Sequence, residues 1–159
     1  MGHGIAYSGL PDGSHVRIAV VAARWNGFLV EPMLAEAVKA LAEVGAPPAE
    51  IVRVPGAFEL PVAAKRAVSS RRFDAVLCLG AVIRGDTPHF DFVAGEAARG
   101  IQEVAVQTGV PVLFGVLTTN TLAQAEERAD PARANKGREF ALGAVETVLA
   151  LRSLGPTSF

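Results

Sequence analysis

The sequence predicts an α/β fold with a four-stranded parallel sheet covered by helices on both faces. Three observations predict it. Four short apolar runs, "VRIAVVAA", "AEIVRV", "DAVLCLGAVI" and "PVLFGVLT", have the length and β-branching of strands. Segments with helical apolar spacing separate them, and strand–helix alternation is the signature of parallel β–α–β units. The strands are near-continuously apolar, as expected of strands buried on both faces.

The elements follow in order. Residues 1–15, rich in Gly, Ser and His, read as a flexible arm, and residues 16–159 as a single domain. After the first strand, "FLVEPMLAEAVKALAEVG" places Val30, Leu34, Ala37, Leu41 and Val44 on one helical face, with Gly45 as its stop. After the second strand, "FELPVAAKRAVSS" reads as a short helix, with Pro61 tolerated in its first turn. "FDFVAGEAARGIQEVAVQTG" follows the third strand and aligns Val93, Ala97, Ile101, Val104 and Ala105. "LAQAEERA" is a short helix after the fourth. The closing helix "NKGREFALGAVETVLALRSL" is expected to bury Phe140, Ala144, Val148 and Leu151.

Composition excludes several function classes. Net charge is −1 and aromatics make up 6%, so neither a basic stripe nor an aromatic series points to nucleic acid. No apolar run reaches the roughly 20 residues of a membrane span. The start, "MGHGIAYSGLPDGSH", lacks a basic stretch followed by an apolar one, so no signal peptide and a cytoplasmic protein are expected. The only cysteine, Cys78, lies in an apolar run and is expected to be a buried thiol. Half the residues are hydrophobic, an excess that tight packing or subunit contacts would absorb. The three histidines are far apart and no Cys/His spacing occurs, so no metal site is expected. No GxGxxG follows a strand and no Walker A sequence is present.

Ligands of open parallel sheets bind beyond the carboxyl ends of the strands. The segments there are "RWNG", "PGAFE", "RGDTPHFD" and "TTNT". In the third, Gly85 permits a sharp turn or a close approach to a ligand. Asp86 or Thr87 can cap the next helix, and Pro88 suits its first position. Such a helix start favours an anion. The Asp86 carboxylate would repel it, so backbone amides and Thr87 are the expected partners. His89 follows, and histidine is the side chain suited to proton transfer near neutral pH; it could equally cap the turn. Arg84-Gly85-Asp86 also spells a cell-adhesion tripeptide, a match too short to carry weight. Glu59 can complement a helix dipole or bind a hydroxyl. Trp25 can cover an apolar edge or stack on a flat heterocycle. Asn26 can cap or contact a ligand. "LTTNT" is expected to cap a helix, and Arg128 or Lys136 could neutralise a phosphate.

Taken together, "RWN", "PGAFELP", "GAVIRGDTPHFDFV", "VLFGVLTTNT" and "NKG" occur in an order that closely resembles the lumazine synthase family. The resemblance runs over nearly all of the chain after Val16. It implies a flavodoxin-like three-layer sandwich, extended by an N-terminal strand in the oligomer. It implies condensation of 5-amino-6-(D-ribitylamino)uracil with 3,4-dihydroxy-2-butanone 4-phosphate, the penultimate step of riboflavin biosynthesis, with no cofactor. It places Trp25 on the pyrimidine ring, Asn26 and Glu59 on the ribityl chain, and Ala57 and Phe58 in the same pocket. Ala81, Val82 and Ile83 would meet the pyrimidine through their backbone. Gly85, Asp86 and Thr87 would form the phosphate loop, and His89 would transfer protons. Phe114, Arg128 and Lys136 would come from the adjacent subunit of a homopentamer. In some members twelve such rings build a hollow icosahedral shell. "ADPARANKG" keeps the short turn of shell-formers, but Ala134 stands where glycine is common, which leaves pentamer against shell open. A catalytically weak paralogue and a generic flavodoxin-like binding module are the rival readings.

Overall fold

The computed structural model describes residues 9–156. The elements are β1 (Ile18–Ala23), α1 (Gly27–Glu43), β2 (Glu50–Val54), a 3-10 turn (Ala57–Glu59), α2 (Leu60–Ser69), β3 (Ala75–Ile83), α3 (His89–Thr108), β4 (Val112–Thr119), α4 (Leu122–Ala129) and α5 (Lys136–Arg152). The four strands pair in parallel in the order β2-β1-β3-β4. The expected α/β sandwich is thus the observed one. Chain order reverses between β1 and β3, which opens a crevice beyond their carboxyl ends.

Alternation along β1 divides the core. Ile18, Val20 and Ala22 face one layer, with Leu29, Val30 and Met33 of α1 and Ala141, Ala144 and Val145 of α5. Ala19 and Val21 face the other, with Leu60 and Ala64 of α2 and Ala97 and Ile101 of α3. Gly137, in the "NKG" segment, lies where α5 meets α1. A Cβ there would stand 2.6 Å from the Cα of Met33, so no larger residue fits without moving a helix.

The face expected of α1 is buried throughout, Val44 included. In α5 the buried set is Gly137, Ala141, Ala144, Val145 and Val148. Leu151 departs from expectation and is 39% exposed. The last turn of α5 flanks an open groove beside Gly109, Val110 and Pro111, so it has no layer to bury against. Strand β2 departs too: it is an edge strand, and Ile51 and Val52 are exposed. Among the described residues no strand pairs with its outer edge.

Part of the expected arm, residues 1–8, lies outside the described residues, and with it most of the segment expected to supply an N-terminal strand. Gly13 is buried, and its N–H donates to the Val44 carbonyl at 2.8 Å. No helix among the described residues is long and apolar enough to cross a membrane.

Candidate active site

Three turns converge beyond the β1/β3 crevice. After β1, the Arg24 N–H donates to Val54 O at 2.8 Å and the Trp25 N–H to Pro55 O at 2.9 Å. These bonds tie the "RWN" turn to the "PGAFE" turn after β2. Asn26 is left-handed (φ 57°, ψ 38°), a conformation asparagine tolerates. Its carbonyl accepts from the N–H groups of Leu29 and Val30 and starts α1. Its side chain does not cap that helix. Instead Nδ2 donates to Ala81 O at 2.8 Å, which staples the first turn to the end of β3.

Gly56 explains where Trp25 lies. A Cβ at Gly56 would stand 2.7 Å from Cζ3 of the indole, so the ring rests on a bare Cα. The indole is otherwise open, with Trp25 64% exposed. The Gly56 N–H donates to Oε2 of Glu59 at 3.0 Å, which holds that carboxylate at the mouth of the crevice. Both uses expected of Glu59 remain compatible: it caps a turn and presents an acceptor.

These groups surround a cleft of about 500 Å³. Trp25, Asn26, Ala57, Phe58, Glu59, Ala81, Val82, Ile83 and His89 all line it, nine residues named from sequence. Phe92 and Val93 complete the wall and were not assigned to it from sequence. The available signal was spacing: positions three and four after His89 share its face of α3.

The loop carrying Gly85, Asp86 and Thr87 is exposed and runs from β3 to α3 beside His89 without lining the cleft. Pro88 is the N-cap of α3 rather than its first residue, so the helix starts one position later than expected, at His89. Thr87 Oγ1 accepts a long 3.4 Å hydrogen bond from the His89 N–H, so Thr87 takes the local polar role left open between it and Asp86. The amides and positive end of a 20-residue helix therefore face this loop.

Three further named residues lie away from the cleft within one chain. Phe114 pairs with Cys78 in mid-sheet, while Ala81 pairs with Leu117. Phe114 is thus about 10 Å back along β4 from the cleft's level. Arg128 lies in the last turn of α4 and its Nη1 donates to Gln124 O at 2.9 Å. Lys136 opens α5, with Nζ 2.8 Å from Oε2 of Glu139. Among the described residues no lysine or arginine lines the cleft. The "TTNT" segment caps α4 as expected, with Thr121 Oγ1 accepting from the Gln124 N–H at 3.2 Å.

A larger groove of about 760 Å³ lies at the other end of the strands. Its charged side chains are already committed: Asp74 pairs with Arg152 at 3.4 Å and with Arg17 at 3.6 Å. Cys78 is fully buried in β3, and burial pushes its thiol up to about 12, so it is protonated and inert at neutral pH. Among the described residues no three His, Cys, Asp or Glu side chains gather to hold a metal.

The family model for 6,7-dimethyl-8-ribityllumazine synthase matches residues 15–152. The chain belongs to this family. The match spans β1 through α5, so it covers every segment of the cleft and also Phe114, Arg128 and Lys136. Membership makes the chain an enzyme of riboflavin biosynthesis, a transferase with lumazine synthase activity on small molecules.

Proposed function

We propose that the cleft condenses 5-amino-6-(D-ribitylamino)uracil with 3,4-dihydroxy-2-butanone 4-phosphate to give 6,7-dimethyl-8-ribityllumazine. One observation carries this: a planar aromatic, an amide, a carboxylate and an imidazole share one cleft at the β1/β3 crevice, beside an amide-rich helix start. Each suits one part of the reactants. Trp25 stacks on the pyrimidine. Asn26 and Glu59 hydrogen-bond the ribityl hydroxyls, Ala57 and Phe58 wall that chain, and the backbone of Ala81, Val82 and Ile83 meets the pyrimidine edge. The amides of Gly85, Asp86 and Thr87 receive the phosphate.

The primary amine attacks the ketone and loses water to form an imine. Phosphate then leaves, and the ring closes with loss of a second water. His89, at the helix start, moves protons among these steps. They are proton transfers and eliminations with no net redox change, so the proposal includes no cofactor. The reactants are intrinsically reactive, and positioning with proton transfer supplies most of the acceleration.

A dianionic phosphate calls for a cation, and none of the cleft's own residues supplies one. In this proposal Arg128 and Lys136, with Phe114, reach the cleft from a neighbouring subunit of a homopentamer. The exposed edge of β2 and exposed apolar residues such as Val62, Phe92 and Val106 suit an assembled state. A single domain over residues 16–159 and a cytoplasmic location belong to the same proposal.

The test is to mix the two reactants with the protein and follow lumazine fluorescence and free phosphate. Both should rise together. Silence from correctly assembled protein would sink the proposal and favour a catalytically weak relative.

A further inference from the structure

Arg84 belongs to the adhesion-like tripeptide and does not line the cleft described above, yet its guanidinium makes three separate contacts. Its backbone comes first: the Arg84 N–H donates to Thr119 O at 2.9 Å, one step beyond the Ile83–Thr119 register. From there the side chain reaches both ways. Nε donates to Asn120 Oδ1 at 3.0 Å. Nη1 lies 3.2 Å from Oδ1 of Asp91. The guanidinium carbon sits 4.4 Å from the centroid of the Phe90 ring.

The two ends of this brace differ. Asn120 is itself held, because its N–H donates to Gln124 Oε1 at 2.9 Å within the capping box of α4. Phe90 and Asp91 directly follow His89 in the first turn of α3. Little else anchors the loop between: a Cβ at Gly85 would meet nothing within 4 Å, and the Thr87 contact is local.

We infer that Arg84 is a positioning residue: it clamps the first turn of α3 to the β4–α4 corner, and so sets where His89 stands in the cleft and where the Gly85–Thr87 amides stand beside it. Only arginine fits this task, since it uses an Nε donor, an Nη donor and a flat face at once. Lysine keeps the charge but offers neither the fork nor the face. The catalytic part of the inference rests on the proposed condensation.

The test uses Arg84→Met, Arg84→Lys and Asn120→Ala in the full-length protein, with two readouts. In the kinetic readout, Arg84→Met and Arg84→Lys should both lower kcat and raise KM for the phosphate-bearing ketone, with kcat/KM down about tenfold or more. KM for the pyrimidine should hold, because Trp25, Asn26 and Glu59 lie on other segments. Asn120→Ala, which leaves the charge intact, should shift the same two constants in the same direction. If lysine restores activity and Asn120→Ala is silent, Arg84 acts through its charge and the inference is wrong.

The second readout is amide hydrogen exchange over residues 84–92. Exchange should quicken about tenfold in Arg84→Met while β3 stays protected. Unchanged exchange there would overturn the inference whether or not lumazine forms. A wild-type protein that makes no lumazine would instead sink the proposed function, and the exchange result would still decide the clamp.

Discussion

Replacing Gly56 by alanine isolates the stacking surface of the cleft from everything around it. The backbone there is extended (φ −144°, ψ −177°), so alanine adopts it without strain. The Gly56 N–H that holds Glu59 is retained in the variant. What changes is the floor under Trp25. The new Cβ would stand 2.7 Å from Cζ3 and 3.3 Å from Cδ2, with Cε3 nearer still. Carbon atoms prefer about 3.5–4.0 Å, so the ring must retreat by about 1 Å. It can do so, because Trp25 is 64% exposed and solvent lies beyond it. The fold should therefore lose no more than about 1 kcal/mol. The site should lose far more, since a shift of about 1 Å in a positioning surface can cost up to 10²-fold in rate. KM for the pyrimidine should rise about tenfold or more, with KM for the phosphate-bearing ketone held. Trp25 is the only tryptophan, so its emission reports the ring directly. The variant should show altered emission and weaker quenching by the pyrimidine. Unchanged emission, quenching and pyrimidine KM would mean that the indole does not rest on Gly56 or does not meet the pyrimidine.

Three further outcomes are expected. His89→Ala should slow turnover roughly 10- to 100-fold, at the low end for a lost general acid–base because the reactants are reactive. Sedimentation should show unchanged assembly, and full turnover would remove His89 from the chemistry. Arg128→Ala should raise KM for the phosphate-bearing ketone more than KM for the pyrimidine; equal rises would count against a phosphate role. Acid stability follows from three exposed pairs. Hydrogen bonds from Arg53, Arg138 and Arg72 hold the carboxyls of Glu31, Glu43 and Glu50 below the usual 4.5. Folded values below unfolded ones mean stabilisation that is complete above pH 4.5 and is lost as pH falls through the folded values. Melting temperature should stay flat from about pH 7 to 5, then drop with a salt-sensitive slope. A drop that begins above about pH 5 would contradict this origin.

Much of the fold was legible because β1, β3 and β4 are covered by helices and carry apolar runs that say so. Strand β2 was legible by β-branching alone; its edge position shows only in the pairing order. Leu151 was misplaced because helical spacing cannot tell where a neighbouring layer ends. In the cleft, Trp25, Asn26, Glu59 and His89 could be singled out because parallel sheets gather strand-end turns, whereas Ala57, Phe58, Ala81, Val82 and Ile83 were named only through the family resemblance. Phe92 was missed although its spacing from His89 places both on one face of α3, because helical spacing alone does not say that this face meets the cleft. The Asn26–Ala81 staple spans 55 positions, a contact no local pattern encodes. The ring of Trp25 over Gly56 is equally non-local, although both lie in segments the sequence singles out. Phe114, Arg128 and Lys136 stay away from the cleft of their own chain, so neither sequence spacing nor a single fold places them there.

In the proposed function a second subunit completes the cleft, and mixed rings are the decisive test of that sharing. His89→Ala and Arg128→Ala subunits would be unfolded, mixed in equal amounts and reassembled. With sites shared between neighbours, a site regains both groups when an Arg128→Ala subunit, carrying His89, meets a His89→Ala neighbour, carrying Arg128. At limiting phosphate-bearing ketone, where the Arg128→Ala parent is also slow, random head-to-tail assembly then restores about a quarter of the wild-type lumazine-forming rate, well above either parent. Mixed rings no more active than the average of their parents would contradict the account, because His89 and Arg128 would then have to act within one chain.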